Sequence, residues 1–206
     1  MTQKSNSSQT HIQETAAEIL TRILSPITAT IVGLAVIYST YITQAERPGY
    51  IWLIAAFGFF VAAILTLVVF YKTGLVSNWD ITDRSQRPRF LALISFYIVI
   101  LLLITYLLGY SEAMPVLTFL ALSLVIASVI TLFWKISFHT FAVTLCVLLL
   151  VVTTNEPYTL FLLILPIITA WTRVTLGKHT QIQAFGGILL GIVMLWMWNI
   201  LSAVAV

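Results

Sequence analysis

The sequence predicts an all-α fold, a polytopic transmembrane helix bundle of six to seven spans. Sixty per cent of the 206 residues are hydrophobic and only 8% are charged, whereas a soluble domain carries about a quarter charged residues. The apolar residues gather in runs of roughly 20, the length a helix needs to cross the hydrocarbon layer. No stretch alternates in the way the strands of a membrane barrel do.

The elements follow in order along the chain. Residues 1–18 form a polar segment rich in Ser, Thr and Gln, expected to be partly disordered and then amphipathic. From His11 onward, Ile12, Ala16, Ile19 and Ile23 recur at helical spacing and predict a lead-in along the membrane surface. His11 itself reads as solvated. The segment has no basic start leading into a short apolar core and cleavage site, so a cleaved signal is not expected. Residues 19–206 read as a single transmembrane domain. Its spans are placed at 19–43, 50–71, 90–109, 115–134, 138–154, 157–171 and 182–205.

Composition also excludes several function classes. Cys146 is the only cysteine and lies inside an apolar run, so neither a disulfide nor a thiolate metal site is expected. A net charge of +3 is too small and too scattered to suggest nucleic acid. Tyr50, Trp52, Trp79, Trp134 and Trp171 lie near span ends and read as interfacial belts.

Counting crossings sorts the connections. The tight ones, at 44–49, 110–114 and 153–157, fall on one face; the polar ones, at 72–89, 135–139 and 172–181, fall on the other. That second face also collects Lys4, Arg22, Lys72, Arg84, Arg87, Arg89, Lys135, Arg173 and Lys178, against Arg47 alone opposite. The positive-inside rule places it in the cytoplasm, in an integral, multi-pass protein of the plasma or inner membrane.

The three polar connections hold most of the chain's chemistry: Asp80-Ile-Thr-Asp83-Arg84-Ser-Gln-Arg87-Pro88, Lys135-Ile-Ser137-Phe-His139, and Arg173-Val-Thr-Leu-Gly177-Lys178-His179-Thr-Gln-Ile-Gln183. Ionisable groups at a membrane boundary are costly to desolvate, so their concentration marks a candidate site.

These clusters resemble the motifs of the type 2 phosphatidic acid phosphatase superfamily: Lys-x6-Arg-Pro, Pro-Ser-Gly-His and Ser-Arg-x5-His-x3-Asp. The third is matched by Thr172-Arg173, five residues, His179, three residues and Gln183, with Leu176-Gly177 inside and Gly187 and Gly191 downstream. The first survives as Arg87-Pro88 and the second as Ser137-Phe138-His139. The resemblance covers about residues 80–192. It implies a phosphatase-like helical core and a lipid phosphatase that uses neither metal nor cofactor. By position, His179 would be the nucleophile, His139 the general acid, and Arg87 and Arg173 the phosphate ligands, with Ser137 and Lys135 beside them. The substrate would be a membrane lipid bearing a phosphate or diphosphate, either a polyprenyl diphosphate or a phosphatidyl headgroup phosphate. Paired guanidinium forks suit a phosphoryl group, and two histidines can divide nucleophile and acid roles near neutral pH.

The chain departs from the family pattern at three positions. Asp80 stands in place of the motif lysine, Phe138 in place of the glycine, and Gln183 in place of the aspartate that orients the nucleophile. Lys135 could compensate for Asp80, lying four residues before His139. A neutral Gln183 could still accept the ring N–H of His179, although it stabilises an imidazolium less than a carboxylate does. Asp80 and Asp83 are expected to pair with Arg84, Arg87 or Arg173 rather than to hold magnesium, which needs several carboxylates. The alternative to catalysis is a lipid-phosphate binder or structural membrane protein of the same fold. A small transporter would need charge in mid-span, and there is none.

Overall fold

The computed structural model describes the backbone at residues 2–43 and 48–204, and side chains at residues 11–43 and 48–198. Met1, Gln44–Arg47 and residues 205–206 lie outside, and with them most of the expected 44–49 connection and the last residue of the expected final span. Among the described residues the chain is helical, with no strand. Six helical stretches are long and apolar enough to cross a membrane: His11–Ile42, Tyr50–Lys72, Arg84–Leu107, Ser111–Phe133, Pro157–Thr175 and Gln181–Trp198. The chain is therefore a multi-pass membrane protein by helix length and composition. Phe138–Thr154 is apolar but has only 17 residues, about 25 Å of helix against a hydrocarbon core of about 30 Å.

The chain forms two compact units. One comprises the residues up to Thr30 together with Ile136–Met197; the other comprises Ile31–Lys135 together with the chain from Trp198. α1 (Thr2–Ile23) ends where Ser25 and Pro26 interrupt the ladder, and α2 (Pro26–Ile37) restarts it. The Ser25 hydroxyl accepts the Thr28 N–H at 3.2 Å, and Pro26 takes a first-turn position that needs no donor. α2 then runs into a π-helical turn at Tyr38–Ile42.

In the first unit, α6 (Phe138–Thr154), a 3₁₀ stretch at Pro157–Leu163, and α7 (Ile164–Thr175) form an antiparallel pair with α1 packed on α7. The face of α1 turned inward carries Ala17 and Thr21, which are buried. Ile12, Ile19 and Ile23 stay exposed, so the stripe expected from periodicity is the outward face. The first turns of α6 and of α8 (Gln181–Val204) are tied together: Ser137 N–H donates to the Gln183 carbonyl at 3.1 Å, and Thr140 Oγ1 to the Ala184 carbonyl at 3.0 Å. Small residues permit this approach. A Cβ on Gly187 would overlap Thr140 Oγ1 and lie 2.5 Å from the Ser137 carbonyl; one on Gly191 would lie 2.7 Å from Thr144 Cγ2.

In the second unit, α3 (Tyr50–Lys72), α4 (Arg87–Leu107) and α5 (Met114–Phe133) pack in sequence. Trp52 is fully buried, and its Nε1–H donates to Thr105 Oγ1 at 3.1 Å. It is thus a core residue rather than a belt residue, because α4 supplies an acceptor for its indole. Tyr50, Trp79, Trp134 and Trp171 are exposed, as a belt requires.

Candidate functional site

The first unit brings Ser137, His139, Arg173, His179 and Gln183 into one region through helix-end chemistry. α7 ends at Thr175, and Gly177 follows at φ +62°, a left-handed conformation that glycine adopts without Cβ strain. Gly177 N–H donates to the Val174 carbonyl and Lys178 N–H to the Arg173 carbonyl, both at 3.0 Å. This is the paired closure of a Schellman cap. His179 N–H reaches the same Arg173 carbonyl at 3.2 Å, so Leu176-Gly177 sets the histidine directly after the cap.

α8 begins with a reciprocal box. Thr180 Oγ1 accepts Gln183 N–H at 3.3 Å, while Gln183 Oε1 accepts Thr180 N–H at 3.2 Å. Gln183 Oε1 also lies 3.3 Å from His179 Nδ1, and the His179 side chain is buried. Gln183 therefore both caps a helix and contacts the His179 ring.

Arg173, in the last turn of α7, is 1% exposed, and its Nη1 donates to Thr21 Oγ1 at 3.0 Å. Thr21 belongs to α1, far outside the motif-bearing stretch. His139 is buried in the first turn of α6. Ser137 caps that helix, its hydroxyl accepting Thr140 N–H at 3.4 Å. The tie between Ser137 and Gln183 brings the two histidine-bearing segments side by side.

Asp80, Asp83, Arg84, Arg87 and Lys135 belong to the second unit. The segment between α3 and α4 is folded around Phe70, Val76 and Ile81. Arg87 is 5% exposed at the start of α4, and its Nε donates to the Ile81 carbonyl at 2.8 Å. Ile81 has φ +44°, unusual for a β-branched residue, and its carbonyl is held by the arginine. Asp83 caps the 3₁₀ turn Arg84–Gln86, its Oδ1 accepting Ser85 Oγ at 2.8 Å and Ser85 N–H at 2.9 Å. The Ser85 hydroxyl, then its N–H, hold the Asp83 carboxyl below the ordinary carboxylate range, with smaller help from Lys135 and Arg87. Arg84 Nη1 donates to the Phe133 carbonyl at 2.6 Å, at the end of α5. Asp80 and Lys135 are half-buried. Among the described residues, no three His, Cys, Asp or Glu side chains gather as metal ligands would.

Sequence reasoning passed over Thr180 and Thr21. Thr180 had a readable signal, the Thr-x-x-Gln spacing of a capping box. Thr21 had none, because its partner Arg173 is 152 positions away. In comparisons with known proteins, no family model, no curated protein and no solved structure matches the chain.

Proposed function

We propose that the protein is a membrane-embedded lipid phosphatase that works through a phosphohistidine at His179. The observation that supports this reading best is the placement of His179, pinned between the α7 cap and the α8 box, with Nδ1 turned to Gln183 Oε1 and Arg173 held in the same turn. In this scheme Nε2 attacks phosphorus and the bond from phosphorus to the lipid oxygen breaks. His139 gives its proton to that oxygen as it leaves. Water, deprotonated by His139, then attacks the phosphohistidine, releasing phosphate and restoring both imidazoles. Arg173 would counter the charge on the phosphoryl oxygens. Arg87 and Lys135 enter the proposal through their motif positions alone. The resemblance implies a polyprenyl diphosphate or a phosphatidyl headgroup phosphate as substrate, and the basic residues gathered on one face of the sequence support a cytoplasmic site.

One observation favours a second reading, a lipid-phosphate binder without turnover. Gln183 Oε1 is shared between His179 and the Thr180 N–H and carries no charge, so it supports a cationic imidazole weakly.

The test is inorganic phosphate release from a panel of lipid phosphates and diphosphates by detergent-purified protein with EDTA present. The proposal expects release that is abolished in His179→Ala and strongly reduced in Arg173→Ala, His139→Ala and Arg87→Ala. Saturable lipid-phosphate binding with no release would establish the second reading.

A further inference from the structure

We propose that Thr180 is a positioning residue, which fixes His179 as the Nδ1–H tautomer by fixing the orientation of the Gln183 amide. The inference deepens the phosphatase reading and rests on it for its catalytic consequence, though not for its structural content.

A glutamine amide can present either its oxygen or its NH₂ to a neighbour, and the two ends have nearly the same shape. A backbone N–H, in contrast, can only donate. Gln183 turns its Oε1 end to the Thr180 N–H at 3.2 Å. The reverse orientation would set NH₂ against N–H, two donors facing each other, so the backbone selects the oxygen. That same oxygen lies 3.3 Å from His179 Nδ1. An oxygen facing a ring nitrogen at hydrogen-bonding distance needs a donor there, so Nδ1 carries a proton, and in the neutral ring Nε2 then carries the lone pair.

The side chain of Thr180 closes the arrangement from the other direction. Its Oγ1 accepts the Gln183 N–H at 3.3 Å, which holds the first turn of α8 in register with the preceding residue. Removing that hydroxyl loosens the turn that keeps the amide opposite both donors. Thr180 is itself exposed, so its substitution disturbs no packed core. A carboxylate would enforce the same tautomer by charge. This chain achieves it with a neutral group whose orientation a helix cap dictates.

The chain has only three histidines, at 11, 139 and 179, so ¹⁵N-imidazole NMR of histidine-labelled protein in detergent reads each ring, with His11→Gln and His139→Gln assigning the signals. The wild type is expected to show His179 as one neutral tautomer, with a pyrrole-type Nδ1 and a pyridine-type Nε2. Thr180→Ser should preserve that pattern. Thr180→Ala and Gln183→Leu should move the two nitrogen signals toward each other as both tautomers become populated. Gln183→Glu keeps an acceptor for both donors and should retain Nδ1–H even if Gln183→Leu fails to fold. An Nε2–H tautomer in the wild type, or an unchanged pattern in Thr180→Ala, would overturn the proposal. Phosphate release on the same samples separates it from the phosphatase reading. With Nδ1–H intact and no release, the phosphatase reading falls and the tautomer assignment stands. With release and an Nε2–H tautomer, the assignment falls and the phosphatase reading survives. Where both hold, Thr180→Ala should lower kcat with little change in KM, and Thr180→Ser should restore it.

Discussion

Adding one methyl group at Gly187 should damage the protein more than its size suggests. The new Cβ would overlap Thr140 Oγ1, lie 2.5 Å from the Ser137 carbonyl and 3.1 Å from the Phe141 nitrogen. None of these atoms yields cheaply. Two are backbone, and the hydroxyl is already engaged with the Ser137 and Ala184 carbonyls at 2.9 and 3.0 Å. Relief therefore requires α8 to move off α6. Overpacking costs about 1–3 kcal/mol, and stretching the two ties between the helices adds about 1 kcal/mol each. Exchanging glycine for alanine within a helix returns about 1 kcal/mol. The net is a destabilisation of about 2–4 kcal/mol, a fall in Tm of roughly 5–15 °C for a protein of this size. Gly58→Ala is the matched control: nothing lies within 4 Å of its added Cβ, so it should stabilise α3 by about 0.5–1 kcal/mol. Cys146, partly buried in α6 and the only cysteine, serves as the reporter. Its labelling by a thiol-reactive dye during a thermal ramp in detergent follows unfolding of the unit that contains Gly187. Equal or higher stability of Gly187→Ala would refute the close α6–α8 approach. Activity should fall in step, because the same shift separates the His139 turn from the His179 turn.

Three further outcomes follow. Gly177→Ala meets open space but must hold φ near +62°, at a cost of about 1–2 kcal/mol; the same Cys146 assay should register it, and unchanged stability would contradict the Schellman geometry. Thr21→Val removes an acceptor from the buried Arg173 guanidinium and should cost about 1–3 kcal/mol in the same thermal assay, whereas Thr21→Ser should behave as wild type; equal loss in both would show that the bond does not matter. Asp83, whose carboxyl is held low chiefly by the Ser85 hydroxyl, should titrate below the ordinary carboxylate range by carboxyl ¹³C NMR. A depressed folded-state pKa means that its contribution to stability is present above the unfolded value and lost as pH falls through the folded one. Ser85→Ala should bring the titration back toward the ordinary value, and no change would exclude the hydroxyl as the main cause.

Much of the fold was legible because hydropathy and length decide membrane spans almost alone. What hydropathy could not supply was the side on which a span finds its partner. The apolar stripe at Ile12, Ile19 and Ile23 stays outward, where a membrane protein exposes apolar surface, while Ala17 and Thr21 take the packed face. Trp52 sits near a span end as a belt residue would, yet Thr105 draws its indole inward across 53 positions of sequence. In the candidate site, the helix-cap signals were written locally and readable in principle. Leu176-Gly177 closes α7, Thr180-x-x-Gln183 opens α8, and Ser137 caps α6. Those signals explain why residues singled out for chemistry also hold helix ends. The tie between Thr21 and Arg173 is set by tertiary packing alone, and no local pattern announces it. The left-handed Ile81 was equally hidden, since β-branched residues avoid that region unless neighbours enforce it.

Covalent labelling of the nucleophile tests the central claim most directly. Protein quenched during turnover of a ³²P-labelled lipid phosphate should carry label that is stable to alkali, labile to acid and located by peptide mapping at His179. The label should be absent from His179→Ala and present, with slowed release, in His139→Ala when the leaving group needs no protonation. Turnover without any label, or label that persists in His179→Ala, would contradict the assignment of His179 as the group that attacks phosphorus.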